Sequence, residues 1–361
     1  MKIKQFYIYT YYLPIWQPLR IGGKFIISRS GALIHIKTNT DIHGFGDAAP
    51  LQGLHHENLK KVVNQLKKIK SLFVGTQCEE VFAILDDLRK KINLYSSVQF
   101  ALESALLNID EQVSLSGRDH ILPEPLHKTI YVNALFSGDD PDILKKVENS
   151  VSEKYRSIKI KVGRKPADTE IKLLTKIRKV IGNKVSMRLD ANRAWELKEA
   201  VRYVESIQNL EIDYIEEPLK NLKNLPELYE KTGIRIALDE HLIHISPKAI
   251  HTMKWINTLI LKPSVIGSVQ RTLQFVNRAK ELGLNVVISD TFHSGVGLSF
   301  LIRLASVISK NLPMGFDTYR CLQNDILVNR LPFKKGYFDL NTVINLCNRV
   351  NLSNLTKVEP V

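Results

Sequence analysis

The alternation of apolar and polar positions changes character partway along the chain. Up to about residue 125, "FYIYTYYL" and "ALIHIKTN" alternate with the period of a half-buried strand, and "HGFGDAAPLQGL" reads as a glycine-bearing loop after them. Three helical patterns follow, "ENLKKVVNQLKKIKSLF", "CEEVFAILDDLRKKI" and "SVQFALESALLNIDEQV", so this part predicts an α+β unit. From about residue 128 the pattern becomes strict strand–helix alternation. "TIYVNAL", "SIKIKV", "VSMRLDA", "DYIEEP", "RIALDE", "TLILKP", "NVVISD" and "PMGFDT" are eight short β-prone runs. In "DTEIKLLTKIRKVIG", Asp168 offers an N-cap, Ile171, Leu174, Ile177 and Ile181 form an apolar stripe, and Gly182 ends it. "ELKEAVRYVESIQNL" and "SVQRTLQFVNRAKELG" repeat the design. Eight such units predict an α/β fold with a closed β/α barrel. A doubly wound open sheet is the alternative, but no glycine-rich phosphate fingerprint follows the first strand.

The polar ends of these strands form a series. In "SIKIKVGR", side-chain alternation puts Lys159 and Lys161 on one face and Ile158, Ile160 and Val162 on the other. The next strands end in Asp190, Glu216, Asp239 and Lys262, at steps of 29, 26, 23 and 23 residues from Lys161. In a β/α barrel the C-terminal strand ends converge on one mouth, where catalytic groups sit. The spacing therefore gathers three carboxylates with lysines on either side. Each acid alone reads more simply as a helix cap. Together they would repel one another unless a cation lay among them, and oxygen-only ligands favour a hard ion such as Mg²⁺. A divalent cation and a second ammonium both favour a neutral lysine, lowering its pKa from ~10.4 toward a value suited to a general base. Lys159 then supplies repulsion, Lys161 moves the proton, and Lys262 approaches from the opposite side. Proton abstraction next to a carboxylate is the chemistry such a site serves.

Composition narrows the setting. The 361 residues, 44% hydrophobic and 24% charged, are those of a globular protein. There is no apolar run long enough for a transmembrane helix, and the start "MKIKQFYIYTYYLPIW" lacks the apolar core of a secretory signal. Cys78, Cys321 and Cys347 form no disulfide framework or zinc spacing. Cytoplasm or plastid stroma is the expected location, with no membrane partner. The net charge of +14 raises nucleic acid as a partner. The lysines are scattered over helix faces, as in "LKKVVNQLKKIK", so a small-molecule carboxylate and no nucleic acid is expected. A binding protein on a dead barrel would show a broken member in the charged series, and none is broken.

These residues resemble the enolase superfamily, in its muconate-lactonising branch with lysines on both sides. "KIK" matches the K-x-K pattern, which implies Lys161 as base and Lys159 as its partner. "LDAN", "IEEP" and "ALDE" imply Asp190, Glu216 and Asp239 as Mg²⁺ ligands, and "LKPS" brings Lys262. The resemblance also implies substrate contacts from Asn192, Ser264, Ser289 and Ser294. It divides the chain into an α+β capping domain, 1–125, joined by a C-terminal segment, 328–361, and a barrel, 126–327. "GFGDAAPLQGL" resembles the loop that closes over substrate. Within the branch, "QPLRIGGKF", "SDTFHSGVGLSFL" and "GFDTYRCLQNDI" resemble enzymes of cyanobacteria and plastids on the route to menaquinone or phylloquinone. Those dehydrate 2-succinyl-6-hydroxy-2,4-cyclohexadiene-1-carboxylate to 2-succinylbenzoate. Racemisation of N-acylamino acids or epimerisation of dipeptides on the same site is the alternative. "TFHSG" departs from the pattern at His293, where relatives often carry an acid. His55 and His56 are candidates for cap contacts or an exposed helix start. Trp195 reads as packing at a helix start, and Asp290 and Asp317 as polar mouth residues. His241, His244 and His251 read as loop and surface positions.

Overall fold

The computed structural model describes residues 1–21, 24–78, 81–113, 122–138, 140–333 and 335–359. Its first layer is antiparallel: β1 (Ile3–Ile21), β2 (Lys24–Thr38) and β3 (His43–Ala48). β1 and β2 pair from Ile3 opposite Thr38 to Ile21 opposite Lys24, a long hairpin. The alternation along β1 serves two cores. Phe6 and Ile8 pack with the helices α1 (Leu59–Phe73), α2 (Val81–Lys91) and α3 (Ser96–Gln112). Tyr11, Leu13 and Ile15 belong instead to the larger core that runs through the barrel. One strand therefore joins cap to barrel by using both of its faces.

The stretch "HGFGDA", read above as a loop, is strand β3. Its glycines allow α3 to lie directly on the sheet rather than permitting a turn. A Cβ on Gly46 would lie 1.9 Å from the Ala101 carbonyl oxygen, and one on Gly44 2.2 Å from that of Ala105.

The chain then runs β4 (Thr129–Tyr131), β5 (Ala134–Ser137), α4 (Ile143–Ser152), β6 (Ser157–Lys161), α5 (Ala167–Ile181) and β7 (Ser186–Asp190). It continues through α6 (Leu197–Ser206), β8 (Ile212–Glu216), α7 (Leu225–Thr232), β9 (Ile236–Leu238), β10 (Ile256–Leu261), α8 (Pro263–Ile266) and α9 (Val269–Glu281). β11 (Asn285–Ile288), α10 (Gly295–Ser306), β12 (Tyr337–Asp339), α11 (Leu340–Leu346) and β13 (Thr356–Lys357) complete it. β5 to β11 form one seven-stranded parallel sheet in sequence order, which together with the antiparallel cap sheet agrees with the barrel-and-cap expectation.

Three details differ from the sequence reading. The first predicted barrel strand splits: β4 pairs antiparallel with β12, and β5 alone opens the parallel sheet. The last, "PMGFDT", makes no ladder. Met314 and Gly315 close the ring through single bridges to Val132 and Ser289, because Pro313 has no N–H to extend the pairing and Asp317 starts a 3₁₀ turn. Asp168 is not the N-cap of α5. Pro166 holds that position, and Asp168 lies within the first turn beside Glu170. At the far end, β13 returns to the cap sheet, pairing Lys357 with Tyr9 and Thr356 with Thr10. Among the described residues, no helix is long and apolar enough to cross a membrane.

The strand–helix contact at β3 is testable. Gly46→Ala is expected to destabilise the protein by roughly 1–3 kcal/mol through overpacking against α3, read as a lower urea midpoint. A midpoint equal to that of the wild type would contradict the contact.

Candidate active site

Register sets which side chains face the barrel interior. Ser137 of β5 lies opposite Lys161 of β6, Lys161 opposite Asp190 of β7, Asp190 opposite Glu216 of β8, and Glu216 opposite Ala237 of β9. Asp239 follows two residues after Ala237 and so shares its face. One row deeper, Lys159, Arg188 and Tyr214 are opposite one another. Ile158 and Ile160, on the other face of β6, are fully buried beneath the helices.

The inward charges pair across strands. Lys159 Nζ donates to both Glu216 carboxylate oxygens at 2.8 Å and lies 3.0 Å from Asp190 Oδ2. Lys262, just past β10, pairs with Asp239. Lys161 Nζ donates to Asn192 Oδ1 at 3.3 Å, and Asn192 Nδ2 donates to Glu240 Oε1 at 3.2 Å. Asn192 has φ +43°, a left-handed turn that brings its backbone N–H to Asp190 Oδ1 at 3.1 Å. Asp190, Glu216 and Asp239 are 3%, 0% and 4% exposed.

This arrangement separates the two lysines of "KIK". Burial lowers the pKa of Lys159, but Asp190 and Glu216 outweigh it and hold the ammonium well above its usual value. Lys161 moves the other way: burial lowers it most, Asp190 opposes, and the charges of Lys159, Arg164 and Lys262 add to the lowering. Burial raises Asp190, yet Lys159, Lys161 and Lys262 bring it down to about 2. Glu216 is pushed well up, by burial first and then by the charge of Asp190.

Among the described residues, no group of three or more His, Cys, Asp or Glu side chains converges closely enough to hold an ion as it stands. The lysine ammoniums lie against the oxygens an ion would take. The donor set nevertheless fits a hard divalent cation. It is oxygen-only, it comes from adjacent strands, and Glu216, whose pKa burial raises first and Asp190 second, is a carboxylate that a cation would help to keep ionised. The Lys159 ammonium stands in for positive charge at that point.

Several supporting residues escaped the sequence reading. Glu217 is fully buried with φ +45° and accepts hydrogen bonds from the backbone N–H of Asp239 at 2.8 Å and of His241 at 3.0 Å. Its other oxygen pairs with the His241 ring, so His241 is a partner of the strand end rather than a surface residue. Glu170, 2% exposed, accepts from the backbone N–H of Gly163, Arg164 and Lys165 and from the Tyr203 hydroxyl. Trp195 packs tilted against Tyr203, ring centroids 4.4 Å apart, at the start of α6. Sequence carries one usable signal for Glu170: an acid in the first helical turn, directly after a glycine-bearing loop.

The serines expected at the substrate occupy the seam between cap and barrel. Ser294 donates through N and Oγ to Asp47 Oδ2 at 2.9 and 2.7 Å, while the Tyr11 hydroxyl donates to Asp47 Oδ1 at 2.6 Å. The Ser264 hydroxyl pairs with that of Thr291 at 3.0 Å. Ser289 is half-buried, with its N–H on Leu261 O at 2.8 Å. Arg29, 4% exposed, donates to the carbonyls of Ala49, Pro50, Thr291 and Phe292. Asp290 is held by His293 at 2.7 Å and Thr318 at 2.6 Å, and Asp317 accepts from Leu135 N and the Tyr155 hydroxyl, so both anchor loops. His56, His244 and His251 are exposed. A cavity of about 470 Å³ lies at the opposite end of the strands, lined by Ser186, Asp213 and Arg235 among others, and contains none of the lysine–acid ring.

Comparison with known proteins places this geometry. Residues 142–343 match the family described as Enolase C-terminal domain-like, and residues 3–109 the MenC N-terminal domain. An o-succinylbenzoate synthase of Haemophilus influenzae is 28% identical over 330 residues, covering 91% of this chain and 93% of that protein. The chloroplastic protein PHYLLO of Arabidopsis thaliana is 27% identical over 343 residues, covering 84% of this chain and 20% of that protein. Among solved structures, a dipeptide epimerase of Enterococcus faecalis complexed with Mg and a dipeptide superposes with TM-score 0.83 at 18% identity, covering 99% of this chain and 100% of that one. A muconate lactonizing enzyme of Pseudomonas fluorescens gives 0.80 at 18%, covering 94% of each chain. At that identity these structures speak for the fold.

The seam also makes a pH-dependent contribution. His55, 9% exposed, accepts from Leu51 N at 3.0 Å through Nδ1 and meets Ser264 O at 3.2 Å through Nε2, which fixes the neutral ring. Burial lowers its pKa from 6.5 to about 4; Glu57 opposes the shift, while His293 and Arg29 reinforce it. The unfolded chain therefore takes up the proton first. Stability from this group is complete above pH 6.5 and declines as pH falls toward 4. Urea midpoints measured at about pH 7 and about pH 5 are expected to differ less in His55→Gln than in the wild type.

Proposed function

Since the chain belongs to the enolase superfamily, we propose that it is an o-succinylbenzoate synthase: a Mg²⁺-dependent hydro-lyase that converts 2-succinyl-6-hydroxy-2,4-cyclohexadiene-1-carboxylate to 2-succinylbenzoate on the route to menaquinone or phylloquinone. The observation that carries this reading is the match of residues 3–109 to the MenC N-terminal domain, in one chain with the lysine-flanked acids. Asp190, Glu216 and Asp239 would hold the ion. When bound, it supplies positive charge to the substrate carboxylate and so makes the adjacent C–H more acidic.

Lys161 is the base. Its lowered pKa favours the neutral amine a base needs, and the neighbouring Lys159 stays charged. Asn192, bonded to Lys161 Nζ, fixes the direction of the amine. After taking the α-proton, Lys161 holds it as an ammonium and delivers it to the departing hydroxyl group, which leaves as water. Lys262, on the opposite wall, stays protonated, raised by Asp239 and Glu240 against the effect of burial. It lies over the developing negative charge without exchanging a proton. Aromatisation of the ring drives the reaction, so the protein has only a barrier to lower.

A second reading uses the same residues. Two amines on opposite walls also suit racemisation, in which one removes a proton and the other returns it on the far face. The dipeptide epimerases among the structural neighbours favour keeping it as a rival. Incubation of the purified protein with Mg²⁺ and, separately, the cyclohexadiene carboxylate, N-acylamino acids and dipeptides distinguishes the two. Aromatic product at high kcat/KM is expected for the first alone. In that assay Lys161→Ala is expected to lower kcat at least about a hundredfold. Retained turnover would remove Lys161 from the role of base.

A further inference from the structure

The mouth of the barrel carries one more cation that is built in rather than merely nearby. Arg164 follows β6 by three residues; it is exposed, with its backbone held at the root and its guanidinium bonded at the head. At the root, the buried Glu170 carboxylate accepts the N–H of Gly163 at 2.9 Å, Arg164 at 2.9 Å and Lys165 at 3.0 Å. Gly163 turns the chain there with φ +73°, and a Cβ on it would lie 2.5 Å from that of Ala194, so the loop has little room to adopt another course. At the head, Arg164 Nη1 donates to Ser137 Oγ at 3.0 Å. Ser137 is registered opposite Lys161 and points to the same face. The guanidinium therefore sits over the β5 end of the mouth, beside the proposed base, and is one of the charges that lower the Lys161 pKa.

The opposite arc of the mouth is acidic, with Asp190, Glu216, Asp239 and Glu240. A ligand with one carboxylate is satisfied at that arc once a metal ion is present. A guanidinium across from it suits a second anionic group, and its planar fork of N–H donors matches a carboxylate in particular. An arginine already fixed at root and head gives up little freedom on binding, which is what makes a charged contact effective.

We propose that Arg164, positioned by Glu170 and Ser137, receives a second carboxylate of the substrate, so that the site selects dicarboxylates. This deepens the dehydration reading and rests on it: the cyclohexadiene substrate bears a ring carboxylate and a succinyl carboxylate, whereas an N-acylamino acid with an apolar side chain bears one. Orientation follows. The ring carboxylate faces the acidic arc and its metal ion, and the succinyl tail runs toward β5.

The test compares 2-succinylbenzoate with its succinyl methyl ester, titrated with Mg²⁺ against the wild type, Arg164→Ala and Arg164→Lys. The wild type is expected to prefer the diacid by about tenfold to a hundredfold. Arg164→Ala is expected to lose that preference, and Arg164→Lys to keep part of it, since an ammonium cannot bond both oxygens in one plane. Equal discrimination in the wild type and Arg164→Ala, with matching circular dichroism, overturns the subsite. So does a wild type that does not discriminate. Turnover is scored separately: a wild type that fails to dehydrate but shows discrimination dependent on Arg164 overturns the reaction and supports the subsite.

Discussion

The constraint on which the rest depends is the balance of charge inside the barrel mouth. Asp190, Glu216 and Asp239 are almost wholly removed from solvent, and buried charges persist only when paired. Lys159 spans Asp190 and Glu216, and Lys262 takes Asp239, so amines and acids alternate around the ring. Removing one partner of a buried pair commonly costs about 3–5 kcal/mol. The members are thus interdependent for stability before any chemistry is considered. The same balance divides labour between two lysines only two residues apart: Lys159 is held charged by the acids it bridges, and Lys161 is left where burial, joined by the nearby cations, disfavours its proton.

Such a ring needs strand ends that do not shift, and the surrounding loops supply this through buried carboxylates that accept backbone N–H groups. Glu217 fixes the end of β9, and Glu170 fixes the loop after β6. Asp47 does related work between the layers, accepting from Tyr11 in β1 and from Ser294 at the start of α10. Arg29 adds four carbonyl contacts across the same seam. The cap is therefore attached at the ends of β10 and β11 by groups that are themselves buried, and again where Gln323, after the turn at Asp317, bonds to Pro14 and Ile15 of β1.

Much of this was legible in the chain because parallel β/α units are periodic. A charged residue closing each of several successive strands, at steps of 23 to 29 residues, projects directly onto one mouth. What was not legible depends on approach through space. "HGFGDA" looks like a loop until α3 is seen to need its missing side chains. "PMGFDT" has the composition of a strand, but Pro313 and the turn at Asp317 leave it two bridging residues. Ser264 and Ser294 are substrate contacts by resemblance alone, and their hydrogen-bond partners could not be read from the chain. Their hydroxyls are taken by Thr291 and Asp47, the latter from a strand nearly 250 residues away in the chain. Glu170 and Arg164 fall outside the strand-end series; the first leaves only the trace of an acid in a first helical turn, and the second becomes visible when the loop is folded.

The pairing of β13 with β1 has a consequence for how the molecule comes to exist. Tyr9 and Lys357 are neighbours in one sheet, although almost the whole polypeptide lies between them. During synthesis the β1–β2 hairpin emerges well before β13, so Tyr9 and Thr10 on its outer edge wait for Thr356 and Lys357 to follow. An exposed strand edge is a template for other chains, and closing so large a loop is entropically late. The β1–β13 ladder acts as the clasp that covers this part of the edge.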